Sequence, residues 1–446
     1  MGEAASAFLA FTSRDKRKEG MDMRSFRFIH AADLHLDCPF KGLTGLPERL
    51  RSDIRDSTFA ALDRLVELAL RERVHFVLFA GDIYEAKDRS LRAQLRFQQA
   101  LEALAAEGIP AFIIHGNHDP LLEGYTAKLR LPGGVRVFGC EAVESALVYA
   151  EDGQPLARIS GISFDRAAVT DNLTPGYANW GDGLFHIGLL HTNVDGDGEH
   201  GNYAPCRLAD LLGRGVDYWA LGHIHTRRIL HERPWVVYPG NVQGRHIRET
   251  GARGCYVVRV SEQGEAEPTF HALDVWRWEE GEVPIEGLDS EQQLKEALED
   301  ALFAARERSE GRSAIVRLTL TGRGPMHAVL RRAGALAELA SMLREQAGDS
   351  WLESLTDRTG APVDPEKLAA QSGFLGELLR LSRETAGDRE RFDVFAKEAL
   401  GPLAAHPALA SIWTDCTEEE RQAMMKEAEE LAIDLLASGA ETGWNG

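Results

Sequence analysis

Five short apolar runs each end on a residue able to bind a metal ion, and this placement constrains the fold more than any other feature. FRFIHAA leads into Asp33-Leu34-His35, VHFVLFA into Gly81-Asp82, and AFIIH into Gly116-Asn117-His118-Asp119; FHIGLL leads into His191, and DYWAL into Gly222-His223-Ile224-His225. Short runs rich in Val, Ile, Leu and Phe read as buried strands. RISGI, WVVY and CYVVRV read as further strands, and helical periodicity fills Ser57 to Arg71 and Ser90 to Glu107. The alternation predicts an α/β sheet with helices on its faces. Sites in such sheets gather outside the carboxyl ends of the strands, so the ligand-bearing loops converge on one crevice.

The residue types on those loops specify the chemistry. Carboxylate, imidazole and amide oxygen suit Mn²⁺, Fe²⁺ or Zn²⁺, and the lack of thiolates argues against a structural zinc site. Asp82 can bridge two ions, and such a pair stabilises both the attacking and the leaving oxygen of a displacement at phosphorus. Gly81, Gly116 and Gly222 let the backbone turn between strand end and ligand.

Asp-x-His, Gly-Asp, Gly-Asn-His-Asp, His and Gly-His-x-His, in that order, resemble the calcineurin-like metallophosphoesterases over most of residues 26–260. ADLHLDCPF, AGDIYE and YPGNVQGRHIRETGARGCYVV are further similar to bacterial DNA-repair exonucleases of the SbcD and YhaO type, more to YhaO. The resemblance implies a sandwich of mixed β-sheets flanked by helices, a smaller α+β capping domain and a helical C-terminal region. It implies that Asp33, His35, Asp82 and His225 hold one ion, and that Asp82, Asn117, His191 and His223 hold a second. His118 would stabilise the pentavalent phosphorus or protonate the leaving oxygen, with Asp119 orienting it. Mn²⁺ is the expected metal, with Mg²⁺, Fe²⁺ or Zn²⁺ as alternatives. Some nucleases of this family carry His three residues after the bridging Asp, where this chain has Glu85.

The 446 residues divide by pattern into a tail at 1–24, a nuclease domain at 25–275, a capping domain at 276–325 and a mostly helical region at 326–446. The capping part holds a helix from Glu291 to Arg308 and the strand AIVRLTLTG. Thr417 to Ser438 reads as an amphipathic helix opened by a capping box. The net charge of −20 excludes a surface that grips nucleic acid everywhere, because phosphate contacts need Lys and Arg. A local cluster remains after Tyr238-Pro-Gly-Asn241, where Arg245 and His246 are the expected substrate contacts, with Arg248 and Arg253 beside them. Arg89, Arg92 and Arg96 form a weaker basic set. Asp195-Gly-Asp-Gly-Glu199 fails the calcium-loop pattern and reads as a solvated loop near the site.

His30, His75, His115 and His186 precede the strand ends and read as packing residues, and Trp276 and Trp278 as packing rather than base-stacking. Five scattered cysteines without a Cys-x-x-Cys pair suit a reducing cytoplasm, and no apolar run is long enough to span a membrane. The function expected is two-metal hydrolysis of DNA phosphodiesters in repair or recombination, by exonuclease action and with endonuclease action left open. The alternatives are a small-molecule phosphodiesterase or phosphatase on the same site, and a structural subunit of a DNA-tethering complex. Similar nucleases pair with a coiled-coil ABC/SMC-type ATPase and form homodimers, which sets the partners to test; no membrane partner is expected.

Overall fold

The structure is a computed structural model that describes residues 23–40, 42–43, 45–88, 90–122, 129–198, 200–363, 365–370, 373–404 and 417–441. Arg89, Glu199, Cys416 and the tail before Met23 lie outside the described residues.

The strands are β1 (Phe26–Ala31), β2 (Phe76–Ala80), β3 (Ala111–Ile114), β4 (Val135–Val137), β5 (Glu144–Tyr149), β6 (Pro155–Gly161), β7 (Phe185–His191), β8 (Tyr218–Gly222), β9 (Arg228–Glu232), β10 (Trp235–Tyr238), β11 (Gly254–Val260) and β12 (Ala266–Ala272). They form two six-stranded sheets, ordered β12-β11-β1-β2-β3-β4 and β5-β6-β7-β8-β10-β9. In the first, β1 to β4 are parallel and β11 runs antiparallel to β1. In the second, β6, β7, β8 and β10 are parallel, with antiparallel β5 and β9 on the edges.

The central strands read as unbroken apolar runs because both of their faces are covered. Along β1, Phe26 and Phe28 enter one core while Ile29 and Ala31 enter another. The inner core packs Phe28, Phe76 and Phe112 of the first sheet on Ile159, Ile187 and Tyr218 of the second, so the sheets form a sandwich. The rings of Phe28 and Phe76 stack 5.1 Å apart, and Tyr218 meets Phe28 edge-on at 5.2 Å. Each such side chain contributes about 1.5–3 kcal/mol through burial. On the outer face of the first sheet lie helices Glu48–Glu72 and Leu91–Ala106, which bury Phe59, Leu62, Leu65, Leu101 and Leu104. The architecture is the sandwich of mixed sheets flanked by helices that the sequence resemblance implies.

Local differences from the sequence reading have physical causes. Helix Glu48–Glu72 starts well before Ser57, because its first turns send Leu50 and Ile54 into a separate cluster with Trp278. Its apolar stripe thus changes partner part-way along. Strands β9 and β12 went unread, since each is an edge with an exposed, polar-rich face.

The chain divides into two compact units. The first takes in residues up to Glu280 with Phe303–Arg317 and Ala347–Glu353; the second takes in Gly281–Leu302, Leu318–Gln346 and residues from Ser354 onward. A third sheet, in order β13-β14-β15, consists of β13 (Trp276–Pro284), β14 (Ser313–Thr321) and β15 (Trp351–Asp357). Strand β15 lies beyond Pro325, in the stretch that reads as mostly helical. Its Trp351 and Leu352 are buried, and Glu353 pairs with Arg317 of β14 at 2.8 Å, long-range contacts that a local pattern does not display. In the second unit, Thr417 Oγ1 accepts from Glu420 N at 3.2 Å and Thr417 N donates back to Glu420 Oε2 at 2.7 Å, which is the expected capping box. That helix, Glu418–Glu441, buries Met425 and Ile433 and leaves Leu431 exposed.

No described helix is long and apolar enough to cross a membrane. Cys38, Cys140, Cys206 and Cys255 are free thiols.

Candidate metal centre

The carboxyl ends of β1, β2 and β3 in one sheet and of β7 and β8 in the other meet at one edge of the sandwich. Asp33, His35 and His225 bring ligand atoms within 4.8 Å of one another there, and so do Asp82, His191 and His223. Asn117 joins the second group, its Oδ1 lying 3.0 Å from His191 Nε2.

The backbone is forced to reach this arrangement. Asp33, His35, Asp82 and His223 take φ values of 52°, 43°, 53° and 101°. Non-glycine residues rarely adopt such values, each costing on the order of 1–3 kcal/mol, and they persist where surrounding contacts over-determine them. Here the contacts are His35 N to Asp82 O at 3.0 Å, Asp33 N to Gly81 O at 3.1 Å, and His223 N to the Asp33 carboxylate at 3.0 Å. Of the three glycines, Gly81 sits at φ +91°, whereas Gly116 and Gly222 are needed for space. A Cβ on Gly116 would lie 2.3 Å from Asp82 Oδ1, and one on Gly222 would lie 1.9 Å from Ala80 O.

Three of the four ligand histidines have their second ring nitrogen on an acceptor. His225 Nδ1 lies 2.6 Å from Glu249, His191 Nδ1 lies 2.9 Å from Ala80 O, and His223 Nε2 lies 2.7 Å from Gly201 O. His35 Nδ1 lies 3.3 Å from the Glu85 carboxylate without a hydrogen bond among the described residues. Protons on those nitrogens leave bare lone pairs on the others. His35 Nε2 and His225 Nε2 then face each other at 3.2 Å. Asp82 Oδ2 is buried without a hydrogen bond, 3.4 Å from His191 Nε2 and 3.8 Å from His35 Nε2. Converging lone pairs around an orphaned carboxylate oxygen are what a pair of divalent cations satisfies, so the residues fit a dinuclear site.

The ligands differ in their electrostatics. Burial raises the Asp33 carboxyl to about 7, with the charge of Asp82 adding to the effect. Burial alone depresses His191, but the Asp82 and Asp33 carboxylates and Ala80 O together lift the imidazole to about 9, so a cation binding there would displace a proton. His225 and His223 are pushed down by burial, to about 4 and about 3, and stay neutral as ligands must.

His118 stands beside this set, with its N donating to Asp82 Oδ1 at 2.9 Å and its side chain 36% exposed. Asp119 does not orient it. The Asp119 carboxylate accepts from Gly116 N at 2.8 Å, Ile83 N at 2.9 Å and Asp82 N at 3.2 Å, and so pins two ligand loops together. The partner of His118 Nδ1 is Glu85, at 2.9 Å. Asp119 follows His118 in sequence, but its side chain turns back into the loop.

The remaining histidines and basic residues sort clearly. His30 lies against Tyr218 and Leu221, His186 against Ser160, His75 accepts from Arg27 N, and His115 packs on Asp119. Arg92 and Arg96 pair with Asp56 and Asp63. Arg253 donates to His225 O at 2.5 Å and to Thr250 O at 2.9 Å, a structural use. Arg245 is 8% exposed and forms no ion pair among the described residues, and its Nε has no partner. His246 is half-buried beside it, 3.3 Å from Glu249, while Arg248 is exposed. Trp276 and Trp278 are buried in a cluster with Ile54, Ile315 and Trp351 and offer no face to a base. His200, which no motif singles out, sets its ring edge-on to His225 at 5.1 Å and to His223 at 5.5 Å.

The calcineurin-like phosphoesterase family matches residues 26–227, and the middle domain of metallophosphoesterase YhaO matches residues 278–360. An uncharacterized metallophosphoesterase YhaO from Bacillus subtilis is 35% identical over 407 residues, covering 90% of this chain and 96% of that protein. The chain belongs to the YhaO metallophosphoesterases. The YhaO-type chain is also similar to proteins described as DNA double-strand break repair protein Mre11. Those of Aeropyrum pernix and Thermoplasma acidophilum are 28% and 30% identical over 252 and 230 residues, which is 51% and 48% of this chain and 56% of each relative. In this YhaO member the middle-domain match begins within β13 and ends past β15.

Proposed function

We propose that the chain hydrolyses DNA phosphodiester bonds with two divalent ions, Mn²⁺ first among them. The observation that carries this reading is the pair of ligand groups meeting around the orphaned Asp82 oxygen, with a half-buried His118 alongside. Bound ions would supply positive charge at both the attacking and the leaving oxygen. The side chains do the rest. Glu85 holds His118 Nδ1, so Nε2 is left to protonate the leaving oxygen. The buried Arg245 guanidinium, which has no carboxylate partner among the described residues, supports an anionic substrate, since Arg keeps its charge and matches phosphate geometry. The similarity to the Mre11 repair proteins supports DNA as that substrate. The test uses purified protein with 3′- and 5′-labelled duplexes, with and without Mn²⁺, beside Asp82→Asn. Mn²⁺-dependent cutting absent from the variant is the expected result, and the product ladder gives polarity. Metal-loaded protein that leaves DNA intact would overturn it.

A second reading keeps the site and changes the substrate to a small phosphodiester or phosphomonoester. Glu85 favours it, because a buried carboxylate beside His118 adds negative charge where a DNA strand must pass. Turnover of cyclic AMP or bis-p-nitrophenyl phosphate, with none of duplex DNA, would select it.

A further inference from the structure

The loop after β10 closes on the metal centre through one carboxylate. Residues Asn241 to Glu249 are anchored from behind: Gln243 donates to Trp276 O at 2.6 Å and accepts from Val275 N at 2.9 Å, while Trp278 Nε1 donates to Gly244 O at 3.2 Å. A Cβ on Gly244 would meet Glu249 O at 2.6 Å, so the loop is tightly folded on itself. Glu249 ends up 3% exposed. Its Oε1 lies 2.6 Å from His225 Nδ1 and 3.3 Å from His246 Nε2, and its Oε2 accepts from Arg245 N at 2.6 Å. His225 is therefore fixed at its ring by Glu249 and at its carbonyl by Arg253.

The two ligand groups differ in this respect. His191 and His223 are oriented by the backbone carbonyls of Ala80 and Gly201, which no side-chain substitution removes. His225 relies on a side chain, and so its group alone is sensitive to residue 249.

We propose that Glu249 is a positioning residue for the Asp33–His35–His225 ion and leaves the Asp82–His191–His223 ion untouched. It fixes the Nδ1–H tautomer of His225, so that Nε2 faces His35, and it ties that ligand to the Arg245–His246 backbone. Outer partners of this kind typically alter metal affinity by about 10–100-fold. The inference rests on the proposed reading that this group binds an ion.

The experiment titrates Mn²⁺ into metal-free full-length wild type, Glu249→Gln and Glu249→Ala by calorimetry, with elemental analysis of the loaded proteins. Wild type should show two sites. In Glu249→Gln, which keeps size and an acceptor, one site weakens by about tenfold and the other is unchanged; Glu249→Ala approaches the upper end of the range. Two unchanged sites, or equal weakening of both, would overturn the proposal. Nitrogen NMR of ¹⁵N-histidine-labelled metal-free protein supplies a readout that needs no metal. The Nδ1–H form of His225 should lose its dominance in Glu249→Ala, and its persistence would count against Glu249. If wild type takes up no ion, the metal reading fails by itself, and the tautomer result still decides the role of Glu249.

Discussion

Glu85 lies 2.9 Å from Nδ1 of His118, and the same carboxylate lies 3.3 Å from Nδ1 of His35. One side chain thus holds the candidate proton donor and stands beside a candidate metal ligand. Burial works against charge on His118, but the hydrogen bond it donates to Glu85 and the charge of Asp82 together raise its pKa. Removing Glu85 should lower that pKa, so the protonated form is lost at lower pH. Glu85→Gln is expected to move the alkaline limb of kcat/KM to lower pH on esters with poor leaving groups. Their kcat should fall by about 10²-fold, with a much smaller loss on bis-p-nitrophenyl phosphate, whose leaving group needs no proton. Equal losses on both substrates would rule out the proton-donor role.

Asp82→Asn removes the negative charge of the bridge while keeping its shape. Because Asp82 Oδ2 has no hydrogen-bond partner among the described residues, the loss should appear in metal binding rather than in the fold. Elemental analysis should find fewer than two ions per chain, with turnover down by roughly 10²-fold or more. A variant that keeps both ions and its turnover would refute the bridging role.

Gly116→Ala tests the crowding around the ligands. The new methyl would lie 2.3 Å from Asp82 Oδ1 and 2.7 Å from His191, and the ligands must shift to admit it. Overpacking of this kind costs about 1–3 kcal/mol. The urea midpoint should fall and Mn²⁺ affinity with it. Gly153, which has open space around its Cβ position, supplies the control, although its φ of +79° limits that control to metal binding.

Acid should loosen the inner core through His30. Burial holds this imidazole at about 3, against the ordinary 6.5, although its hydrogen bond with Leu221 O pulls the other way. The unfolded chain takes up a proton near 6.5, whereas the folded chain resists until about 3. Stability is therefore full above the ordinary value and is lost as pH falls from there toward the folded value. The slope from this one group is on the order of 1 kcal/mol per pH unit. Urea midpoints between pH 7 and pH 4, measured in chelator, should drop less steeply for His30→Asn than for wild type.

The ligands were legible because strand ends and glycine-flanked motifs are local in sequence. Asp33, Asp82, Asn117, His191, His223 and His225 each follow an apolar run directly, and a parallel sheet brings such ends together. The residues that orient them were not legible in the same way. Glu249 acts on His225 from 24 positions away, and Glu85 acts on His118 across 33. Asp119 illustrates the opposite hazard, since sequence adjacency to His118 suggested a contact that the turn of the loop prevents. In the fold, the two-sided burial of the central strands gave clear signals, whereas β9 and β12 are edges with polar-rich faces and β15 depends on β14, a neighbour distant in the chain.

The ligands are divided between the two sheets: Asp33, His35, Asp82 and Asn117 follow strands of the first, and His191, His223 and His225 follow strands of the second. Ions held among them act as rivets through the open edge of a sandwich that apolar contact otherwise closes. Loading with metal then becomes a mechanical property of the whole domain. Protease resistance and thermal midpoint should rise with occupancy, by an amount set by ion concentration over its dissociation constant. A cell that withdraws the metal would not merely silence such a protein but shorten its lifetime.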